Sequence, residues 1–187
     1  MIINIIKSRI CQPVFEEVVE LALTGRFLAP IVVITNMMHI QEIRFYYEYE
    51  SNGYLSNFYS SPIEVEGKTW PTVEHYYQAA KTHDPEYAEK IRLAPDPDEA
   101  KRLGNAAECS LRPDWGTFKL EAMRRALFEK FSQHPDLREK LLGTGDAVLM
   151  EDSKKDYYWG IGADGTGKSM LGRLLMELRS SLADGGR

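Results

Sequence analysis

Cysteine is scarce in this chain. There are only two, Cys11 and Cys109, and neither belongs to a CxxC pair. Two such residues cannot build a disulfide framework, so a reduced, cytoplasmic setting is expected rather than secretion. Long hydrophobic runs are also missing. Met1–Ile6 is apolar but short and lacks a basic flank, and Phe27–Thr35 contains Pro30. Even extended to Ile40, the second run falls short of the roughly 20 residues that a membrane span needs. Basic charge is in deficit, with 23 Lys and Arg against 28 Asp and Glu and a net charge of −5. That balance excludes a protein that coats nucleic acid by charge alone, though not one with a local basic pocket. The four histidines (His39, His75, His83, His134) form no HExxH and do not cluster with cysteine. There is no GxSxG elbow, so no metal, no cofactor and no serine nucleophile is expected.

What remains is the material of one domain. The 187 residues are 43% hydrophobic and 27% charged, enough apolar content for a core and too much for general disorder. Pro13 and Gly25 frame a helix over 12–25, and Ile31–Thr35 and Ile43–Tyr49 read as β-rich runs. Residues 63–70 (IEVEGKTW) alternate apolar and polar before Gly67, as in a short hairpin. After Trp70 the pattern becomes helical. Thr72 is the expected cap of a helix to Thr82, Asp84-Pro85 opens one to Leu93, and Asp96-Pro97 opens one to Leu103. An amphipathic stretch from Asp114 or Thr117 runs to Phe131, and His134-Pro135 breaks it before a helix to Leu142. A Gly-rich loop, Gly160–Gly167, feeds a last helix over Ser169–Leu182 and a frayed tail over 183–187.

Chemistry gathers at three places. In WPTVEHYYQAAK, Glu74, Tyr77, Gln78 and Lys81 fall at i, i+3, i+4 and i+7, on one helical face. A carboxylate, an amide and an amine on one face of a cleft suit acid/base work or binding of sugar hydroxyls. His75 points off that face and reads as a structural hydrogen-bonder. All three tryptophans (Trp70, Trp115, Trp159) stand beside polar or turn-forming residues, where indoles can stack on a base or flank a developing cation. Residues 162–169 (GADGTGKS) match G-x-x-x-x-G-K-[ST], a phosphate-cradling loop with Lys168 and Ser169 at its end. The context argues against a nucleotide triphosphatase, because DYYWG rather than a buried apolar strand precedes it and little chain follows. A helix start that holds one phosphate remains open, with Gly167, Lys168 and Ser169 as binders.

LSNFY (55–59), GKTWPTVEHYYQAAK (67–81), LRPDW (111–115), KF (130–131), LLGTG (141–145) and DYYWGIGADGTGKSMLGRLLMELR (156–179) together resemble the NADAR, or YbiA-like, family. The resemblance covers about residues 41–182 and leaves 1–40 as an N-terminal extension, or as an overextended start before Met37 and Met38. With the pattern above it implies an α+β, predominantly helical fold, one compact domain with a small β element in its N-terminal half. It also implies an N-glycosidase that cleaves the bond between ribose phosphate and a nitrogenous base, in early riboflavin intermediates, the ribosylaminopyrimidine 5′-phosphates.

Carried over by position, the resemblance makes Glu74, Asp156 and Lys81 catalytic, and Asn57, Trp115 and Trp159 substrate-binding. Trp70 and Gln78 join them from the local pattern. Lys81 has two readings, a partner of the phosphate or a Schiff-base amine. One position departs from the family: Ser169 stands where Asn is usual in G-K-N-x-L-G, and that change creates the apparent phosphate loop. Two other functions stay open. One is removal of ADP-ribose from guanine in nucleic acid, which calls for a basic rim from Arg124, Arg125, Lys154 and Lys155. The other is an ADP-ribose or nucleotide binder without turnover.

Overall fold

The computed structural model describes residues 41–185. The helix expected over 12–25 and the run Ile31–Thr35 lie outside the described residues.

Among the described residues, two short pairs of strands are set among six α-helices. β1 (Glu42–Phe45) pairs in parallel with β4 (Val148–Glu151), Glu42 opposite Val148 and Phe45 opposite Glu151. β2 (Ile63–Val65) and β3 (Lys68–Trp70) form an antiparallel hairpin. Its two-residue turn puts Glu66 at φ 54° and Gly67 at φ 74°, the twist that a tight hairpin demands. The hairpin is where the alternation in 63–70 placed it. The parallel pair was not legible, because its strands are four residues long and 102 residues apart (148 − 46). The run expected over Ile43–Tyr49 is strand only to Phe45, and the tyrosines beyond it leave the sheet.

Three of these helices begin where their capping side chains say. Thr72 accepts the His75 N–H at 3.3 Å to start α1 (Val73–Ala79). Asp84 and Asp96 cap α2 (Pro85–Arg92) and α3 (Pro97–Gly104), each with Pro at the first helical position, where its missing N–H is not needed. α4 (Trp115–Gln133) ends at His134 because Pro135 cannot continue it, and Pro135 opens α5 (Pro135–Gly143). α6 (Met170–Ala183) closes the domain.

One apolar core joins these elements. Phe131 of α4 and Leu141 of α5 are fully enclosed, as are Leu55, Ile63 and Val73. α1 packs on α2, α3 and α4, while α6 packs on β4 and α5. Gly172 makes the α6–β4 approach feasible, since a Cβ there would overlap the Leu149 carbonyl oxygen. The parallel pairing also has a consequence for the site. Both strands run out at the same end, so the residues after β1 and those after β4 emerge side by side, where parallel-strand proteins tend to place ligands.

Candidate active site

A cavity of about 530 Å³ opens at that end, a size that suits a nucleotide-like ligand. α1 supplies Glu74, Tyr77 and Gln78, with Lys81 just past its last turn. Asn57 comes from the loop after the 3₁₀ turn Gly53–Leu55, Glu151 from the last position of β4, and Asp156 and Trp159 from the loop after it. Five carboxylates (Glu48, Glu74, Asp98, Glu151, Asp156) and two lysines (Lys81, Lys101) are among its lining residues.

Glu74 is buried, and desolvation raises its carboxyl above the usual range. Opposing that, Gln78 Nε2 donates to Glu74 Oε1 at 2.6 Å, and Lys101, Lys81 and Asn57 favour the charged form. The Glu74 backbone N–H donates to the Asn57 carbonyl at 3.1 Å, which ties the helix start to the loop. Gln78 fits because Gly104 has no side chain; a Cβ there would overlap its amide oxygen.

Lys81 Nζ donates to the Gly104 carbonyl at 3.2 Å and to Asn105 Oδ1 at 2.7 Å. Burial pushes its pKa down and Glu74 pulls it back up. Tyr77 carries the aromatic wall. Its ring lies 5.1 Å from Trp115 and 5.4 Å from Trp159, and Trp159 Nε1 donates to its hydroxyl at 3.2 Å. Asp156 Oδ1 accepts the N–H groups of Tyr158 and Trp159, each at 2.7 Å, and so fixes the turn that presents the Trp159 indole. Three buried oxygens on lining residues have no hydrogen-bond partner: Asn57 Oδ1, Gln78 Oε1 and Glu151 Oε2.

Comparison with known proteins agrees with this architecture. The NADAR domain profile matches residues 44–183. The chain belongs to the NADAR family. It is 47% identical over 150 residues to the N-glycosidase YbiA of Escherichia coli, covering 80% of this chain and 94% of that one. An N-glycosidase of Nostoc punctiforme is 41% identical over 143 residues, covering 75% and 92%. A riboflavin biosynthesis protein of Vibrio vulnificus is 44% identical over 152 residues, covering 81% of this chain and 41% of that protein. The NMR structure of Escherichia coli YbiA superposes with a TM-score of 0.73 at 48% identity, covering 78% of this chain and 86% of that one. At this identity over most of the chain the enzyme class carries over: this NADAR protein is a glycosidase.

Of the residues singled out in the NADAR motifs, Glu74, Gln78, Lys81, Asn57, Asp156 and Trp159 converge on the cavity. The others do not line it. Trp70 is packed in the core with its ring edge-on to Tyr76, because β3 ends with that side chain turned inward. Trp115 does not line the cavity; its ring packs on that of Tyr77, which does.

The Gly-rich loop is corrected more sharply. Gly167 donates its N–H to the Ile161 carbonyl, Lys168 to Tyr157 and Ser169 to Gly160, at 2.7, 2.8 and 3.0 Å. Those donors are committed within the protein, so they cannot cradle a phosphate. Lys168 Nζ lies instead over the Tyr158 ring, 5.5 Å from its centroid. Ser169 is buried in the left-handed region at φ 45°, and its hydroxyl accepts the Glu151 N–H at 3.1 Å. Asn, which the resemblance led one to expect here, is a non-glycine type that adopts this conformation readily.

His75, read as structural, bonds Thr72 Oγ1 at 2.8 Å and the Ala94 carbonyl at 3.2 Å, away from the site. Sequence reasoning missed Glu151 and Lys101. Glu151 carries no motif, and its only signal is that a carboxylate ends the apolar run AVLM.

Proposed function

We propose that this NADAR glycosidase hydrolyses the N-glycosidic bond between ribose phosphate and a base, in ribosylaminopyrimidine 5′-phosphates of riboflavin biosynthesis. The observation that carries the reading is Glu74, a buried carboxylate held by an amide donor beside an indole wall, in a cavity richer in carboxylates than in cations. Cleaving such a bond passes through an oxocarbenium-like state at the anomeric carbon. Negative groups fixed before the reaction stabilise that charge without reorganising. Glu74 takes a proton from the attacking water, whose oxygen adds to the anomeric carbon. The base leaves with the bonding electron pair, stacked on Trp159. Lys101 is the exposed cation of the lining and is assigned the 5′-phosphate. Lys81, buried between two carbonyl oxygens, is ill placed for that and favours the ionised form of Glu74.

The riboflavin context is supported by the Vibrio relative and by a maize relative, the chloroplastic riboflavin biosynthesis protein PYRR, 41% identical over 155 residues. A polynucleotide substrate is favoured less. Arg124 pairs with Glu177 at 2.9 Å, Arg125 with Glu66 at 3.5 Å and Lys154 with Asp152 at 2.6 Å, and none of the three lines the cavity. The reading as a disabled binder is favoured less, since Ser169 is not itself a lining residue. Among the described residues no helix is long and apolar enough to cross a membrane.

Release of the base and ribose phosphate from the purified protein, followed by chromatography, tests the proposal. Glu74→Gln is expected to lower the rate at least 100-fold, in the range for loss of a positioned acid/base group of about 10²–10⁴, with the fold intact by circular dichroism. Full activity in that variant overturns the assignment, and a borohydride-trapped adduct on Lys81 replaces water attack with a covalent route.

A further inference from the structure

We propose that Glu151 is the acid that delivers a proton to the departing base nitrogen. This rests on the N-glycosidase reading and adds the half of the chemistry that Glu74 cannot perform while it takes a proton from water.

The geometry is specific. Glu151 is the last residue of β4, so the parallel pairing delivers it to the mouth of the strands, on the wall of the same cavity as Glu74. Its backbone is fixed from both sides. Its N–H donates to Ser169 Oγ at 3.1 Å, and its carbonyl accepts the Ile161 N–H at 2.9 Å. Its Oε2 is shut off from solvent and has no partner within the protein. An ionised oxygen in that position would lack any compensating donor, whereas a carboxylic O–H has only to find an acceptor. The nitrogen of a leaving base is such an acceptor.

The surrounding charges act in the same direction. Glu151 faces Asp156 on the following loop and Glu74 on α1, and both resist its ionisation. Lys101 on α3 opposes them, and Lys81, Glu48 and Asp98 complete the charged lining. Burial with these carboxylates pushes its pKa up to about 8. Glu74 receives a hydrogen bond and Glu151 Oε2 receives none. Two carboxyl groups in one site with different partners divide into a base and an acid. The other candidates are already committed: Lys81 to two carbonyl oxygens, and Asp156 Oδ1 to two backbone N–H groups.

The step balances. The C1′–N bond breaks and its electron pair stays on nitrogen, which takes the proton from the Glu151 carboxyl group once that group turns its O–H toward the cavity. Water adds its oxygen to C1′, and Glu74 takes the water's proton. One proton then returns from Glu74 to Glu151 through solvent, and the site is reset. The Gly-rich loop also acquires a role, since Ser169 at its end positions the acid.

Two substrates and two variants test this. One substrate is an aminopyrimidine N-ribosyl 5′-phosphate. The other is an N-ribosyl 5′-phosphate whose heterocycle carries a nitro group and leaves without protonation. On the first, E151Q is expected to lose about 100-fold or more in kcat with little change in KM, and the fall of kcat at alkaline pH disappears. On the second, E151Q stays within about tenfold of wild type, while E74Q is impaired on both, because water still needs its base. Equal rates for E151Q and wild type on the first substrate, or equal losses on both, overturn the role of Glu151 alone. Wild-type protein that cleaves neither substrate overturns the N-glycosidase reading and this one with it.

Discussion

Lys130 has no exposed surface, and its Nζ makes one hydrogen bond, to the Ser56 carbonyl at 2.9 Å. Rings of Tyr59 and Phe131 lie 5.3 and 5.4 Å away. Burial pushes its pKa down to about 7. It supports the loop that carries Asn57, one residue past the carbonyl it holds. A depressed lysine pKa means that the unfolded chain binds a proton the folded chain lacks, between about 7 and the ordinary lysine value of 10.5. Stability from this group therefore rises with pH across that window, by at most about 1.4 kcal/mol per pH unit. Glu151 has the opposite sign. Its pKa is raised from 4.5 to about 8, so the folded chain keeps a proton the unfolded one has lost, and stability falls as pH rises through that range. Lys130→Met is expected to remove the rise above pH 7 relative to wild type, measured by urea denaturation at pH 7 and 9. An unchanged slope would show that the amine titrates normally in the fold.

At the scale of elements, the packing of α6 on β4 controls the site, because Glu151 ends that strand and Ser169 begins that helix. Gly172 permits the approach, and the atom that a methyl group would strike is a backbone oxygen, which cannot rotate away. Gly172→Ala is expected to cost at least about 1–3 kcal/mol as an overpacked contact and to reduce base release by displacing Glu151. Gly116 in α4 has open space around its missing Cβ. There the same substitution is expected to stabilise by about 0.5–1 kcal/mol through helix propensity. Thermal melts of the two variants separate the cases, and a neutral Gly172→Ala would show that the helix can move away from β4 without loss. The starts of α1, α2 and α3 were legible because each has its own signal within four residues, a cap and, in two of them, proline. The parallel pair had no such signal, since its partners are distant in sequence and too short for periodicity to register.

For the whole molecule, the family match spans 44–183, and every lining residue falls within it. Residues 1–40 remain proposed as an extension outside the catalytic domain. A chain starting at Met37 is expected to keep base release within about threefold of full length, on the prior that substitutions and losses outside packed or reacting groups are mild. Insolubility of that shorter chain would make the segment part of the fold. The net charge of −5 also becomes specific at this scale. Five of the acids line the cavity, where the proposed reaction would develop positive charge, while the arginines that suggested a nucleic-acid rim are paired elsewhere.

The sequence by itself determined the helix starts, the hairpin, the shared face of Glu74, Tyr77, Gln78 and Lys81, and the family. Each of these is encoded over short distances, in caps, periods and blocks of adjacent residues. Only the tertiary structure decided that the phosphate-like loop is self-bonded, that Trp70 belongs to the core, and that Glu151 shares a cavity with Glu74. Those outcomes depend on which donors and faces are used up by distant partners. A loop's N–H groups look available until the carbonyls that accept them, here Tyr157 and Gly160 among them, are folded beside it.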